Sequence, residues 1–260
     1  SNLAGYYSST DEYSKRAHDS SNEKERFYIN ADNVSPGEEF TRSVLAHEFQ
    51  HMIHWRHDIN ETSWLNEGSS MLAEQLNNFD DGGVGYSYIS DPDLQLTTWG
   101  EGDNYPHYGA AYLFMSYFLD RFGEDATKAL VADPENGMES VDDVLASLGL
   151  TGPDGQPLTH VDVFADWVVA NLVGDSSMGD GRYGYVRNTA VDKVNPNDTI
   201  DDCAGYSESG SVAQYGADYF ELDCPGSYTL NFEGSATVSV APIEVPTGGH
   251  VIWGNRVDES

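Results

Sequence analysis

The sequence predicts an α+β protein in which a mainly helical domain is followed by a small all-β unit. Apolar residues recur with the spacing of α-helices between about residues 35 and 173. After about residue 198, short strand-like runs alternate with glycine and proline. The length of 260 residues fits one or two domains. We therefore expect a helical domain over residues 1–198 and a β-rich domain over residues 199–260.

The chain before the first helix is polar. Residues 1–24 are expected to be loosely held, and residues 26–30 have the composition of a strand. Ser35 followed by Pro36 is typical of a helix N-terminus, because serine caps free backbone N–H groups and proline fits the first turn. The first helix is therefore predicted to run from this point to about His57.

The first helix presents two faces. Four apolar side chains share the face that we expect to be core: Leu45, Phe49, Met52 and Ile53. The adjacent face carries two histidines one turn apart, His47 and His51, and it should line a cleft. Such a pair can bind one zinc ion, with Glu48 beside the water that the metal activates. The pattern predicts a zinc peptidase, and two solvated helix histidines are the simpler alternative.

Zinc catalysis needs a third protein ligand, for which there are two candidates. Glu67 lies on a second helix predicted over residues 64–76. The short loop between the two helices makes them antiparallel neighbours, so Glu67 can face His51. His57 has the ligand spacing of the metzincins, but His54 replaces the glycine that lets their chain turn back. We favour Glu67.

Two further polar residues each allow two interpretations. His54 lies close to the ligand face, and we expect a cleft-wall histidine or one whose hydrogen bonds are satisfied. Glu74 shares the polar side of the second helix with Glu67, where it is either a partner of a ligand histidine or a solvated carboxylate. The apolar stripe of this helix consists of Leu65, Leu72 and Leu76.

A third helix, predicted over residues 105–123, begins with candidates for stabilising an oxyanion. Tyr108 is the first choice, followed by His107 and Tyr105, and the alternative is that each ring only packs against the loop. Acidic loops further along the chain leave calcium open as a second cofactor. Shorter helices are predicted over residues 124–131, 140–148 and 160–173.

The β-rich part contains the two cysteines of the chain. In a secreted protein Cys203 and Cys224 are expected to pair and to close the base of the β unit. The strand patterns of this part cover residues 219–222, 228–232 and 236–240.

A family resemblance rests on two segments of this sequence. Residues 47–55, His-Glu-Phe-Gln-His-Met-Ile-His-Trp, and residues 64–68, Trp-Leu-Asn-Glu-Gly, resemble the hyicolysin-type metallopeptidases of the gluzincin clan. The second segment is also similar to the third-ligand segment of aminopeptidase N relatives. The resemblance covers about residues 25–190. It implies a zincin-like catalytic domain in which Glu48 is the general base. The implied zinc ligands are His47, His51 and Glu67.

The composition limits the classes of partner that the protein is expected to bind. Asp and Glu number 44 against 12 Lys and Arg, and the net charge of −32 would repel nucleic acids and anionic membranes. The sequence contains no run of about 18 apolar residues, so membrane insertion is not expected. The chain opens with polar residues, so we expect any leader to have been removed or never to have been included. We expect a protein or peptide substrate, a secreted or cell-surface location, and further domains beyond residue 260.

These observations favour a secreted zinc-dependent endopeptidase. An aminopeptidase of the same clan would need an acidic pocket for the substrate ammonium group, which Glu74 could supply. A catalytically silent binding or cell-surface module is the third hypothesis. The intact combination of two histidines, Glu48 and Glu67 argues against that module.

Overall fold

The computed structural model describes residues 3–100, 102–152 and 155–226, positions 229, 231 and 233, and the backbone of residues 238–245 and 248–255. Helices dominate these residues and strands form two small sheets, which confirms the α+β class. Among the described helices, none has both the length and the apolar composition that crossing a bilayer requires.

The described residues form six α-helices. In chain order these are α1 Glu39–His57, α2 Ser63–Leu76, α3 Val84–Ile89, α4 Tyr105–Val131, α5 Met138–Leu148 and α6 His160–Val173. The helices predicted over residues 64–76 and 160–173 match α2 and α6 to within one residue. The short α3 was not predicted, because its aspartate- and glycine-rich surroundings indicate a loop.

The strands form two separate sheets. In the first, β1 Gly5–Tyr7 pairs antiparallel with β2 Phe27–Ile29. The second contains β3 Asp198–Ile200, β4 Ala217–Leu222, β5 Val238–Val245 and β6 Gly248–Asn255, in the order β3-β4-β6-β5. Strand β3 is parallel to β4, and the other pairs are antiparallel. The strand predicted over residues 219–222 is confirmed as part of β4.

The other two strand predictions fall partly on residues that the structure does not describe. Residues 238–240 of the third pattern belong to β5. The remaining predicted positions 228, 230, 232 and 236–237 lie outside the described residues.

The polar lead-in is held in place over residues 3–24, which corrects the expectation of a loosely held segment there. Asp11 is buried, and its Oδ1 accepts the backbone N–H of Asn22 at 2.6 Å while its Oδ2 accepts the hydroxyl of Tyr28. Strand β1 packs against both β2 and α1. The segment is ordered because one buried carboxylate gathers donors from distant parts of the chain.

Helix α1 begins at Glu39, so its predicted start after Ser35 is wrong. The N–H of Glu38 donates to the carbonyl oxygen of Ser35 at 3.2 Å, and this bond closes a turn before the helix. Gly37 within that turn has a φ of +92°. This left-handed conformation is incompatible with a helix start, so the Ser-Pro signal marks the preceding turn.

The predicted core face of α1 is also wrong. Leu45 and Phe49 are 37% and 47% exposed, and Met52 and Ile53 are only half-buried. The helix instead buries a mixed face that includes Glu48, together with Thr41, Ser43, Val44 and His54. That face is buried because both β1 and α2 pack against α1.

Helix α4 runs through the centre of the hydrophobic core. Its residues 109–119 are all buried, and the ring of Phe114 packs edge-on against Trp64 of α2 and Trp167 of α6, at 5.6 and 5.5 Å. The helix is interrupted at Gly123, where φ is +83°. The break confirms the predicted boundary between the helices over residues 105–123 and 124–131.

A close approach to α4 fixes the start of α2. A Cβ atom on Gly68 would lie 2.7 Å from the carbonyl oxygen of Ala111, so only glycine allows this contact. Leu65 and Leu72 of the predicted apolar stripe are buried, whereas Leu76 at the helix end is exposed. The packing at Gly68 holds its neighbour Glu67 at a fixed position beside α1.

Part of the predicted β unit packs on the helices. Tyr215, Ala217 and Tyr219 belong to the same hydrophobic core as α4 and α6. The hydroxyl of Tyr219 donates to the carbonyl oxygen of Val168 in α6 at 3.0 Å. The division into domains at residue 198 stays a prediction.

The predicted disulfide between Cys203 and Cys224 is confirmed, with a Cα–Cα distance of 6.1 Å. Replacing both cysteines with serine is expected to lower the free energy of unfolding by about 3 kcal/mol, because the bridge restricts the unfolded chain. Urea denaturation followed by circular dichroism measures this. Reducing agent should lower the parent to the same value and leave the double variant unchanged, and a parent insensitive to reduction contradicts the prediction.

Candidate metal centre

Helices α1 and α2 bring three potential metal ligands together. His47 and His51 stand one turn apart on α1, with ring centroids 4.7 Å apart and ring planes at 80°. Oε2 of Glu67, near the start of α2, lies 3.1 Å from Nε2 of His47 and 3.4 Å from Nε2 of His51. Three such ligand atoms lie within 4.8 Å of one another, and the three side chains are partly exposed. A cation and a water molecule can therefore reach them.

The other candidate for third ligand does not approach this cluster. Helix α1 continues through His54 to its end, so the chain makes no early turn that would carry His57 back. His57 is exposed. The donor set is thus two imidazole nitrogens and one carboxylate oxygen, which is a set that zinc takes in catalytic sites with a fourth position open.

Outer hydrogen bonds orient both histidines. Nδ1 of His47 donates to Oε1 of Glu74 at 2.8 Å, and Oε2 of Glu74 accepts the hydroxyl of Ser43. Nδ1 of His51 donates to the amide oxygen of Asn66 at 2.7 Å and lies 3.1 Å from the hydroxyl of Ser70. These contacts occupy Nδ1 in both rings, so Nε2 is the nitrogen that faces the cluster.

Glu74 is therefore engaged with a ligand histidine rather than solvated. A Glu74→Gln variant is expected to weaken zinc binding about ten- to a hundredfold. His47 loses its charged partner, while glutamine keeps the size of the side chain that it replaces. Competition with a chromogenic zinc chelator measures the dissociation constant. Glu124→Gln, which changes an exposed carboxylate of α4, should bind zinc like the parent. Unchanged affinity in Glu74→Gln would contradict this role.

Opposite charges in the cluster stabilise each other. Burial opposes a charge on His47, but hydrogen bonds and attraction from Glu67 and Glu74 outweigh it and raise the pKa of His47 to about 10. Burial likewise opposes a charge on Glu67, but hydrogen bonds from His47 and His51 lower the pKa of Glu67 to about 2. Glu67 is thus a carboxylate at neutral pH, and cation binding must displace the proton of His47.

Glu48 lies beside the cluster but is not one of its three ligands. The side chain is buried, and its Oε2 accepts the backbone N–H of Tyr7 at 2.7 Å. Burial raises the pKa of Glu48, although the charges of His47 and His51 and the bond from Tyr7 act in the opposite direction. A raised pKa suits a carboxylate that accepts a proton near neutral pH.

Of the three aromatic candidates on α4, Tyr108 is the one whose ring contacts a potential ligand. Its ring centroid is 6.2 Å from that of His47. Burial, followed by the charge and hydrogen bond of Glu67, raises the pKa of Tyr108 well above its ordinary value, so the hydroxyl keeps its proton. Tyr105 instead donates to the carbonyl oxygen of Gly82, and the His107 ring packs against Trp99. Tyr108 is therefore the candidate that the structure places beside the cluster.

A second group of potential ligands, not predicted from the sequence, lies at the end of α1. His54, Asp58 and Glu61 offer one ligand atom each, all within 4.8 Å of one another. Burial, followed by repulsion from His51 and His57, lowers the pKa of His54 to about 4, so its ring is neutral at neutral pH. The spacing of His54 and Asp58, one helical turn apart, is the signal that could have revealed the group.

No family model matches the chain, and no curated protein matches it.

Proposed function

We propose that the protein is a secreted zinc-dependent endopeptidase whose helical part has a zincin-like architecture. The observation that carries the proposal is the convergence of Nε2 of His47, Nε2 of His51 and Oε2 of Glu67, with Glu48 buried beside them. The disulfide supports a secreted location, because such bonds persist in oxidising compartments.

The residues of the cluster divide the reaction between them. His47, His51 and Glu67 would hold zinc, which supplies Lewis-acid activation of a water molecule and of the scissile carbonyl group. Glu48 accepts a proton from the attacking water and passes it to the leaving amine. The protonated hydroxyl of Tyr108 donates a hydrogen bond to the carbonyl oxygen as negative charge develops on it.

The contacts of Glu74 favour an endopeptidase over an aminopeptidase. An aminopeptidase needs a free carboxylate for the ammonium group of its substrate. Both oxygens of Glu74 are already engaged, one by His47 and one by the hydroxyl of Ser43. Glu74 is thus occupied in orienting a ligand and does not supply that pocket.

The proposal is tested by metal content and turnover of the purified chain. We expect zinc in the protein, cleavage of casein, and loss of cleavage with a chelator that is reversed by added zinc. An aminoacyl-anilide should not be cleaved. Turnover of the anilide alone would identify an aminopeptidase, and zinc-loaded protein without turnover of either substrate would identify a silent module.

A further inference from the structure

The end of α1 and the loop that follows it carry a second cluster of metal-ligating side chains. His54 lies in the last turn of α1, Asp58 directly follows the helix, and Glu61 lies two residues before α2. One ligand atom from each lies within 4.8 Å of the others. The cluster shares no residue with the His47, His51 and Glu67 cluster.

The atoms of this second cluster are buried and lack partners. His54 is 0% exposed and Asp58 is 5% exposed. Within the part of the chain that the structure describes, neither ring nitrogen of His54 has a hydrogen-bond partner, and the same is true of Oδ2 of Asp58 and Oε2 of Glu61. Buried polar atoms, and above all buried carboxylates, are costly unless something satisfies them.

Each carboxylate is fixed through its other oxygen. Oδ1 of Asp58 accepts the N–H of Asn60 at 3.2 Å. Oε1 of Glu61 accepts the N–H and the hydroxyl of Thr62, and also the N–H of Gly137 at 2.9 Å. One oxygen of each group is thus anchored, while the other is free to bind a cation. This is the arrangement expected of oriented metal ligands.

We propose that His54, Asp58 and Glu61 bind a second divalent transition-metal ion. A cation would satisfy the free carboxylate oxygens and one nitrogen of His54 at once, and it would compensate the two negative charges. Imidazole is a ligand for zinc, copper, iron and nickel, whereas calcium and magnesium take oxygen ligands. Zinc is therefore the metal to test.

The position of this site defines its role. Through Glu61 it joins the end of α1 to Thr62, which directly precedes α2, and to Gly137, which precedes α5. An ion bound there fixes the loop between α1 and α2. Together with the packing at Gly68, that loop determines how Glu67 on α2 is placed relative to His47 and His51 on α1. The three residues are positioning residues, since they do not touch the first cluster's ligand atoms.

The test counts zinc ions in chelator-treated protein after equilibrium dialysis against zinc. We expect about two ions per chain in the parent and about one in Glu61→Gln, because glutamine keeps the oxygen that accepts from Thr62 and Gly137 but replaces the free oxygen with an amide nitrogen. Asp58→Asn is the second variant, should Glu61→Gln fail to fold. Asp125→Asn, at a fully exposed side chain, should bind as many ions as the parent.

A thermal melt separates this site from the first cluster. His51→Ala removes a ligand of the first cluster only, so its melting temperature should still rise when zinc is added. The rise should disappear in His51→Ala/Glu61→Gln.

Three results would overturn or separate the proposals. If Glu61→Gln and Asp58→Asn bind as much zinc as the parent, the second site does not exist. If the parent binds one ion, and that ion is lost in His51→Ala but kept in Glu61→Gln, the second site likewise does not exist. If the single ion is instead lost in Glu61→Gln and kept in His51→Ala, the result supports the second site and refutes the peptidase centre.

Discussion

A His51→Ala variant is expected to bind one zinc ion fewer than the parent and to lose peptide hydrolysis by at least about a thousandfold. The change removes one of three ligand atoms, and the remaining two rarely hold a metal against competition. A catalytic metal lowers the activation free energy by several kcal/mol, and a change of about 4 kcal/mol corresponds to about a thousandfold in rate. Zinc content and casein turnover are the two measurements.

His57→Ala is the matched control for this variant. His57 lies on the same helix and is exposed, so the substitution removes an imidazole without touching the cluster. Zinc content and turnover should stay at the parental level. If His57→Ala loses zinc and turnover as His51→Ala does, His57 is a ligand and the metzincin arrangement replaces Glu67 as the third ligand.

Local signals account for the helices that the sequence predicted well. Helix α6 begins where Thr159 and Asp162 form a reciprocal capping box, which is readable from the two residue types at their spacing. The break in α4 coincides with Gly123, whose left-handed conformation few other residues adopt. Such features depend on neighbouring residues only, so no knowledge of the tertiary structure is needed.

The buried face of α1 could not be predicted in the same way. Its apolar stripe pointed to Leu45 and Phe49 as core, but both are exposed. Which face a helix buries depends on the elements that pack against it, and here β1 and α2 pack against the face with Glu48. The polar lead-in gave no sign that it would supply β1.

The grouping of the three potential ligands was predictable from the sequence, and Glu74 was one of two alternatives for a partner, but the other contacts around the site were not predictable. The spacing of His47 and His51 and the short loop before Glu67 suffice to bring the three together. Contacts between residues far apart in the sequence could not be predicted. The N–H of Tyr7 meets Glu48 across 41 positions, and this bond depends on how β1 packs against α1.

A Glu48→Gln variant is expected to keep its zinc and to lose at least about a hundredfold in peptide hydrolysis. Glutamine has the same shape, and its oxygen can still accept the N–H of Tyr7, so the fold and the three ligands are retained. The amide cannot accept a proton from water, and general-base catalysis typically contributes about 10²–10⁴-fold. Because the ligands are untouched, we expect a melting temperature within about 2 °C of the parent.

Three measurements on one preparation distinguish loss of the base from loss of the metal. Zinc content and melting temperature should match those of the parent, while turnover of casein at saturating and limiting concentrations reports on kcat and kcat/KM. Glu39→Gln, at an exposed carboxylate in the first turn of the same helix, controls for the change of charge and should be fully active. A Glu48→Gln variant that cleaves peptides at nearly the parental rate would show that Glu48 is not the base, whatever its metal content.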